Sequence, residues 1–311
     1  MEKRKNNLLF FLLKAALSLT LLYLILQKAG TSRVLNILAT VRLPYFFSSS
    51  LVYLFAQFVS SIRWRMLLTD EMVPVGLTVP RLYGIYLIGS FFNNILPGIV
   101  GGDALRVYYL YRDSIKGADA FGSVFADRYT GYCALVTLGL LSIIFIRGGI
   151  ENRAVLWLMP ALAGLFVVAS FGLFRFRIGY KFKSIKGFYD YLKAIKDAPV
   201  RLLYAYLLSF LVQIATIFSV LLCAKALGVR IDVLKLFFFM PIVITVSSIP
   251  ISISGIGLRE GSFVVLLSLI GIRTEVATTL SILWFLSYLV GSLPGLPVYL
   301  KWSSMAGGGR K

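Results

Sequence analysis

Ser247-Ser248-Ile249-Pro250-Ile251-Ser252-Ile253-Ser254-Gly255-Ile256-Gly257-Leu258-Arg259 interrupts an apolar region that spans residues 236–271. A counterpart, Asn94-Ile95-Leu96-Pro97-Gly98-Ile99-Val100-Gly101-Gly102-Asp103-Ala104-Leu105-Arg106, interrupts a second apolar region at 82–111. Proline to arginine is nine residues in both blocks, both end in Gly-x-x-Leu-Arg, and they are offset by 153 residues. Proline and glycine break a helix, and hydrocarbon cannot satisfy the backbone groups this frees unless protein or trapped water surrounds them. Each block therefore reads as a re-entrant hairpin of two short helices that dip in and return.

The rest of the chain supplies the membrane. Of 311 residues, 59% are hydrophobic and 14% charged, and the mean hydropathy is +0.85. A soluble domain carries about 25% charged residues, so a water-soluble globule is excluded. At ~20 residues per span, simple spans fall at 8–27, 45–68, 120–146, 154–174, 201–224 and 276–300. Residues 8–27 follow Lys3-Arg4-Lys5 but are too long for a signal-peptide core and lack a small-x-small cleavage site, so they read as an uncleaved anchor. The expected fold is an all-α polytopic membrane protein with about six full transmembrane helices and two re-entrant broken-helix hairpins.

Charge sets the orientation. The chain has 32 Lys+Arg against 13 Asp+Glu, a net charge of +19. In a polytopic protein this excess points to basic cytoplasmic loops and anionic headgroups, and no nucleic-acid partner is expected. With both blocks as hairpins and both termini cytoplasmic, twenty basic residues fall inside and ten outside. If the first block crossed only once, the eight basic residues of 175–201 would lie outside, against the positive-inside tendency. Within 175–200, Phe182, Ile185, Phe188, Leu192 and Ile195 form a stripe flanked by Lys181, Lys183, Lys186, Lys193 and Lys196. This reads as an amphipathic helix on the cytoplasmic leaflet, with packing on the bundle as the alternative.

In this orientation the first hairpin opens inward and the second outward, so 45–146 and 201–300 form two inverted repeats around the connecting span 154–174. The whole chain, 1–311, is one membrane domain. Transporters use this design, with broken helices meeting near the midplane.

The broken loops carry the chemistry. A glycine-rich turn that opens a helix leaves N–H groups unpaired at the positive end of its dipole, which suits an anion. Arg259 and Arg106 each begin a returning half-helix and could hold a phosphate through the planar fork. The candidate headgroup contacts are Arg259, Gly255, Gly257, Glu260, Arg106, Gly101, Gly102 and Asn94. The alternative is that the glycines permit close packing and the arginines snorkel. Asp103, Asp127 with Arg128, and Glu260 lie in apolar surroundings, where an ionisable group is a functional candidate. They either relay a proton as an anion binds and leaves, or neutralise nearby arginines.

Other chemistry is excluded or unsupported. The chain has no histidine, so imidazole bases and ligands are absent. Cys133 and Cys223 sit in apolar runs and form no disulfide or zinc pattern. Gly255-Ile256-Gly257-Leu258-Arg259-Glu260-Gly261 has the wrong spacing for a dinucleotide fingerprint and no preceding strand. No cofactor, metal or catalytic motif is expected.

The 97–106 stretch and Ser254-Gly255-Ile256-Gly257-Leu258-Arg259-Glu260-Gly261 resemble the lysylphosphatidylglycerol synthase transmembrane (flippase-like) family, and Arg63-Trp64-Arg65 with Leu67-Leu68 matches a further feature of it. The resemblance covers about 8–300 and implies a polytopic protein associated with lipid translocation. Bifunctional relatives add a soluble domain that makes aminoacyl-lipid; with eleven residues after the last expected span, that synthase activity is not implied. Many relatives have a glycine-glutamate-x-x-arginine pattern where this chain has Gly102-Asp103-Ala104-Leu105-Arg106, so a lipid contact carries over more directly onto Arg259 than onto Arg106. The expected function is a flippase-like lipid transporter in a prokaryotic cell (inner) membrane, moving an anionic phospholipid or lipid-linked phosphate between leaflets. The alternatives are an enzyme acting on polyprenyl-phosphate or phospholipid headgroups, or an accessory subunit of a lipid-modifying or glycosyltransferase enzyme.

Overall fold

The computed structural model describes residues 2–68, 74, 77–95, 100–146, 153–176 and 183–307. Leu96-Pro97-Gly98-Ile99 of the first block, and Lys181 and Phe182 of the basic stripe, lie outside the described residues. Among the described residues the fold is all-helical. The first part holds α1 (Glu2–Ala29), α2 (Thr31–Ala39), α3 (Leu43–Leu67), α4 (Val79–Ile95), α5 (Val100–Arg112) and α6 (Gly117–Phe145). A 3-10 turn (Arg153–Trp157), α7 (Leu158–Phe176) and α8 (Lys183–Lys196) connect to α9 (Pro199–Ala226), α10 (Val233–Ser247), α11 (Leu258–Ser268), α12 (Thr274–Ser292) and α13 (Gly295–Gly307).

Among the described residues, six stretches are long and apolar enough to cross a membrane: Leu12–Ala29, Leu43–Leu67, Gly117–Phe145, Ala154–Phe176, Pro199–Ala226 and Thr274–Ser304. They coincide with the six expected spans. On α9, Leu203, Leu207, Leu211, Ile214 and Phe218 are exposed at helical spacing, a stripe suited to acyl chains. Its other face buries the small residues Ala205, Ser209, Ser219 and Cys223, which lets α3 approach closely. Ser49 Oγ on α3 donates to the Ser219 carbonyl at 3.0 Å, and the Cys223 thiol donates to Ser49 Oγ at 3.3 Å.

The helices α3–α6 and α9–α12 run in the same order: long, short, short, long. Their contacts correspond as well. α3 packs on α9; α6 packs on α9 as α12 does on α3; α10 packs on α6 as α4 does on α12. Exchanging the two units maps these contacts onto themselves. Each unit has its own core, one around Phe238, Phe239, Phe263 and Trp284, the other around Trp64, Leu82, Ile85 and Tyr109. Within the first unit α4 and α5 touch backbone to backbone, because a Cβ on Gly102 would run into the Gly89 carbonyl.

The span expected at 276–300 lies within the apolar stretch Thr274–Ser304 and is divided there into two helices, α12 and α13, at Leu293-Pro294. Proline has no N–H to continue the ladder and its ring displaces the preceding turn. Leu293 N–H closes on the Val290 carbonyl at 3.2 Å, a tighter three-residue turn. Gly295 then sits against the Leu87 carbonyl with no room for a Cβ, seating α13 on α4.

For the amphipathic helix the structure shows the second of the two readings, packing on the bundle. α8 forms, and Lys186, Lys193 and Lys196 are exposed. Its apolar face, however, is covered by protein rather than by a leaflet: Phe188, Tyr191 and Ile195 are buried against α6 and α9. Tyr191 OH donates to the Leu67 carbonyl at 2.9 Å. Burial pushes its phenol pKa up, and the Asp127 and Asp119 carboxylates add to that, so it remains a donor. Gly122 leaves space for the Tyr191 ring. Gly122→Leu should cost about 1–3 kcal/mol by overpacking and loosen α8. Limited proteolysis at Lys186 and Lys193 would then accelerate roughly tenfold or more; an unchanged cleavage rate would contradict this packing.

Candidate functional site

A cavity of about 630 Å³ lies where the two units meet. The first unit lines it with Tyr53, Gln57 and Arg63 of α3, Tyr86, Ser90 and Asn94 of α4, Asp103 of α5, and Asp127 and Arg128 of α6. The second contributes Gln213, Ser247, Arg259, Trp284 and Tyr288, with Ser254 from the broken loop. Both interrupted regions therefore reach one chamber.

In the first unit the charges form a chain anchored on Asp127, which is fully buried. Its Oδ1 accepts from Arg63 Nε at 2.8 Å. Its Oδ2 accepts from Arg106 Nη2 at 2.8 Å and from Tyr86 OH at 2.9 Å. Arg63 Nη1 donates onward to Ser209 Oγ at 3.1 Å, tying α3 to α9. The Arg106 guanidinium lies 4.2 Å from the Trp64 ring centroid and 4.1 Å from that of Tyr86, so both aromatic faces hold the cation. Arg106 Nη1 also donates to Asp103 Oδ1 at 3.3 Å. Asp103 in turn takes a bidentate pair from Arg128, at 3.0 and 3.1 Å. Arg128 is the open end of the chain, with 51% of its side chain exposed.

In the second unit the helix start is made by glycine. Gly255 and Gly257 have φ of 75° and 85°, in the left-handed region that other residues resist. A Cβ on Gly257 would also press on Leu21 of α1. Helix α1 braces this loop further, because Ile253 N–H donates to Ser18 Oγ at 2.8 Å. Arg259 donates to Glu260 Oε1 through Nη2 at 2.7 Å and Nε at 3.0 Å. Glu260 Oε2 reaches back to the Gly257 N–H at 2.7 Å, and Ser281 Oγ donates to Oε1 at 3.1 Å. The guanidinium and a freed N–H thus converge on a carboxylate, and that carboxylate is Glu260. Arg259 still lines the cavity, above Phe285 at 4.5 Å.

The candidates named from sequence fall into three groups. Arg259, Asn94, Asp103, Asp127 and Arg128 line the chamber. Asn94 Nδ2 is buried with no hydrogen-bond partner among the described residues. Arg106, 1% exposed, and Glu260 lie behind this wall as ion-pair partners. Gly101, Gly102, Gly255 and Gly257 shape the backbone; Gly102 N–H donates to Asn93 Oδ1 at 2.9 Å.

Sequence reasoning did not connect Arg63 and Tyr86 to Asp127. Arg63 belongs to the quoted Arg63-Trp64-Arg65, and a cation inside an apolar span calls for a buried counter-ion. Only the fold identifies that partner, 64 residues away.

A family model described as the lysylphosphatidylglycerol synthase TM region matches residues 11–295. A UPF0104 membrane protein of Methanothermobacter thermautotrophicus is 26% identical over a 335-residue alignment, covering 95% of this chain and 93% of the relative. A second from the same organism is 24% identical, covering 75% and 80%. A UPF0104 membrane protein of Pyrococcus horikoshii is 26% identical over 132 residues, or 42% of this chain and 39% of that relative. The match takes in α3 to α12, both interrupted regions and every residue that lines the cavity, and the chain belongs to the lysylphosphatidylglycerol synthase transmembrane-region family of integral membrane proteins.

Proposed function

We propose that this protein moves an anionic phospholipid or a lipid-linked phosphate between the leaflets of a prokaryotic cell membrane, with no chemical change to the lipid. The observation that carries it is the chamber between the units, where Arg259 of one and Arg128 of the other line the same wall set. Its volume, about 630 Å³, falls in the ~300–1,000 Å³ range of ligand pockets. A headgroup needs an adjoining place for its tails. A groove of about 520 Å³, lined by Phe166, Val167, Phe171 and Arg175, shares Tyr129 with the chamber. An acyl chain lying there would keep the headgroup at the chamber wall. The matching helix order and exchangeable contacts of the two units support an inverted-repeat transporter.

Reconstitution tests this directly: purified protein in liposomes should redistribute labelled anionic lipid between leaflets and leave it chemically intact. A modified lipid, or a rate equal to protein-free liposomes, would overturn the proposal. The inverted arrangement predicts that single cysteines at Lys116 and Lys186 are labelled only from the cytoplasm, and one at Arg273 only from outside. External labelling at Lys186 would contradict it.

A further inference from the structure

We infer that the chamber is matched to one net negative charge, so that it takes a phosphodiester headgroup in preference to a dianionic phosphate monoester, and that the Arg128–Asp103 pair sets this preference. The inference rests on the lipid reading above and narrows its substrate class.

Asp127 is paired with Arg63 and Arg106, Asp103 with Arg106 and Arg128, and Glu260 with Arg259. Among the described residues that line the chamber, together with these ion-pair partners, four arginines face three carboxylates. One positive charge is left over. A singly charged phosphodiester balances it. A doubly charged monoester leaves one anionic charge uncompensated in a partly dry site, where an unpaired charge is costly.

Access indicates where the anion meets this charge. Asp127 is fully buried, and Arg63 and Arg106 are 4% and 1% exposed. Arg128, 51% exposed, and Asp103, 17% exposed, are the accessible pair. A phosphate can share the Arg128 fork with Asp103 without breaking the buried core of the network. The Asn94 amide, a chamber-lining donor whose Nδ2 lacks a partner among the described residues, offers the phosphate a neutral hydrogen bond. Asp103 thereby limits the anion: its carboxylate already takes up part of the positive charge that a second phosphate charge would require.

Full-length protein in detergent micelles can be titrated with short-chain phosphatidylglycerol and with phosphatidate bearing the same acyl chains. At about pH 8.5 the monoester is well past its second ionisation near ~6. Binding is read by native mass spectrometry and by fluorescence of Trp284, which lines the chamber. The wild type should bind the diester roughly tenfold or more tightly than the monoester. Asp103→Asn is isosteric, raises the surplus by one charge, and should move that ratio toward phosphatidate by about tenfold or more. Equal affinities in the wild type, which needs no variant to be measured, would overturn the inference, as would a ratio that Asp103→Asn leaves unchanged. If neither lipid binds, the lipid reading itself falls. Glycerophosphoglycerol, which has no tails, is the remaining arm. Binding as tight as that of the lipid would uphold charge matching while assigning the site to a soluble phosphodiester.

Discussion

Asp127→Ala is expected to destabilise the protein by about 3–5 kcal/mol, the range for removing one partner of a buried ion pair. The carboxylate is fully buried and accepts from Arg63, Arg106 and Tyr86 at once. Truncation leaves two buried guanidinium groups without the carboxylate they share, with Asp103 still beside Arg106. Asp127→Asn keeps the shape and one carbonyl acceptor but loses the charge, so it should fall between alanine and wild type. Asp113→Ala is the control: its pair with Arg81 is partly exposed, where such pairs contribute about 0–1 kcal/mol. Thermal unfolding in detergent should rank wild type, Asp113→Ala, Asp127→Asn and Asp127→Ala in falling order. An Asp127→Ala protein as stable as Asp113→Ala would contradict the buried network as the brace of the first unit.

The spans were legible because a run of ~20 apolar residues has few other stable settings. The split at Pro294 was not, because an apolar stretch interrupted by proline can continue as a kinked helix or end. It ends here where Gly295 fits against the Leu87 carbonyl, a contact made with α4. The α8 stripe shows a similar limit. Periodicity identifies which face is apolar but not what covers it, and the Tyr191–Leu67 and Tyr191–Gly122 contacts bring protein to that face.

Within the site, legibility followed sequence separation. Asp103 and Arg106 are one turn apart and Arg259 adjoins Glu260, so those pairs could be read directly. Arg63 meets Asp127 through the packing of α3 on α6. Arg106 was the ambiguous case. From sequence it matches Arg259, yet the two face different surroundings: Arg106 is held between Trp64 and Tyr86 and closed off, whereas Arg259 lies on the chamber wall.

Arg259 carries the second large effect, on transport. Losing a charge-assisted contact in a partly dry site costs roughly 1.5–3 kcal/mol, or about tenfold to a hundredfold in headgroup affinity. Arg259→Lys keeps the charge without the bidentate fork and should be intermediate. Arg259→Ala alone would strand Glu260, whose carboxylate also holds the Gly257 N–H and Ser281. Pairing Arg259→Ala with Glu260→Gln removes both charges and retains one carbonyl acceptor, for the Gly257 N–H. The most direct measurement is therefore the inter-leaflet transfer rate of a labelled anionic phospholipid in liposomes that hold equal masses of wild type and of this double variant. The wild type should move lipid well above protein-free liposomes, and the double variant, though folded and inserted, should fall to about a tenth of the wild-type rate or below. A double variant that transports at the wild-type rate would contradict the claim that the chamber arginine handles the headgroup.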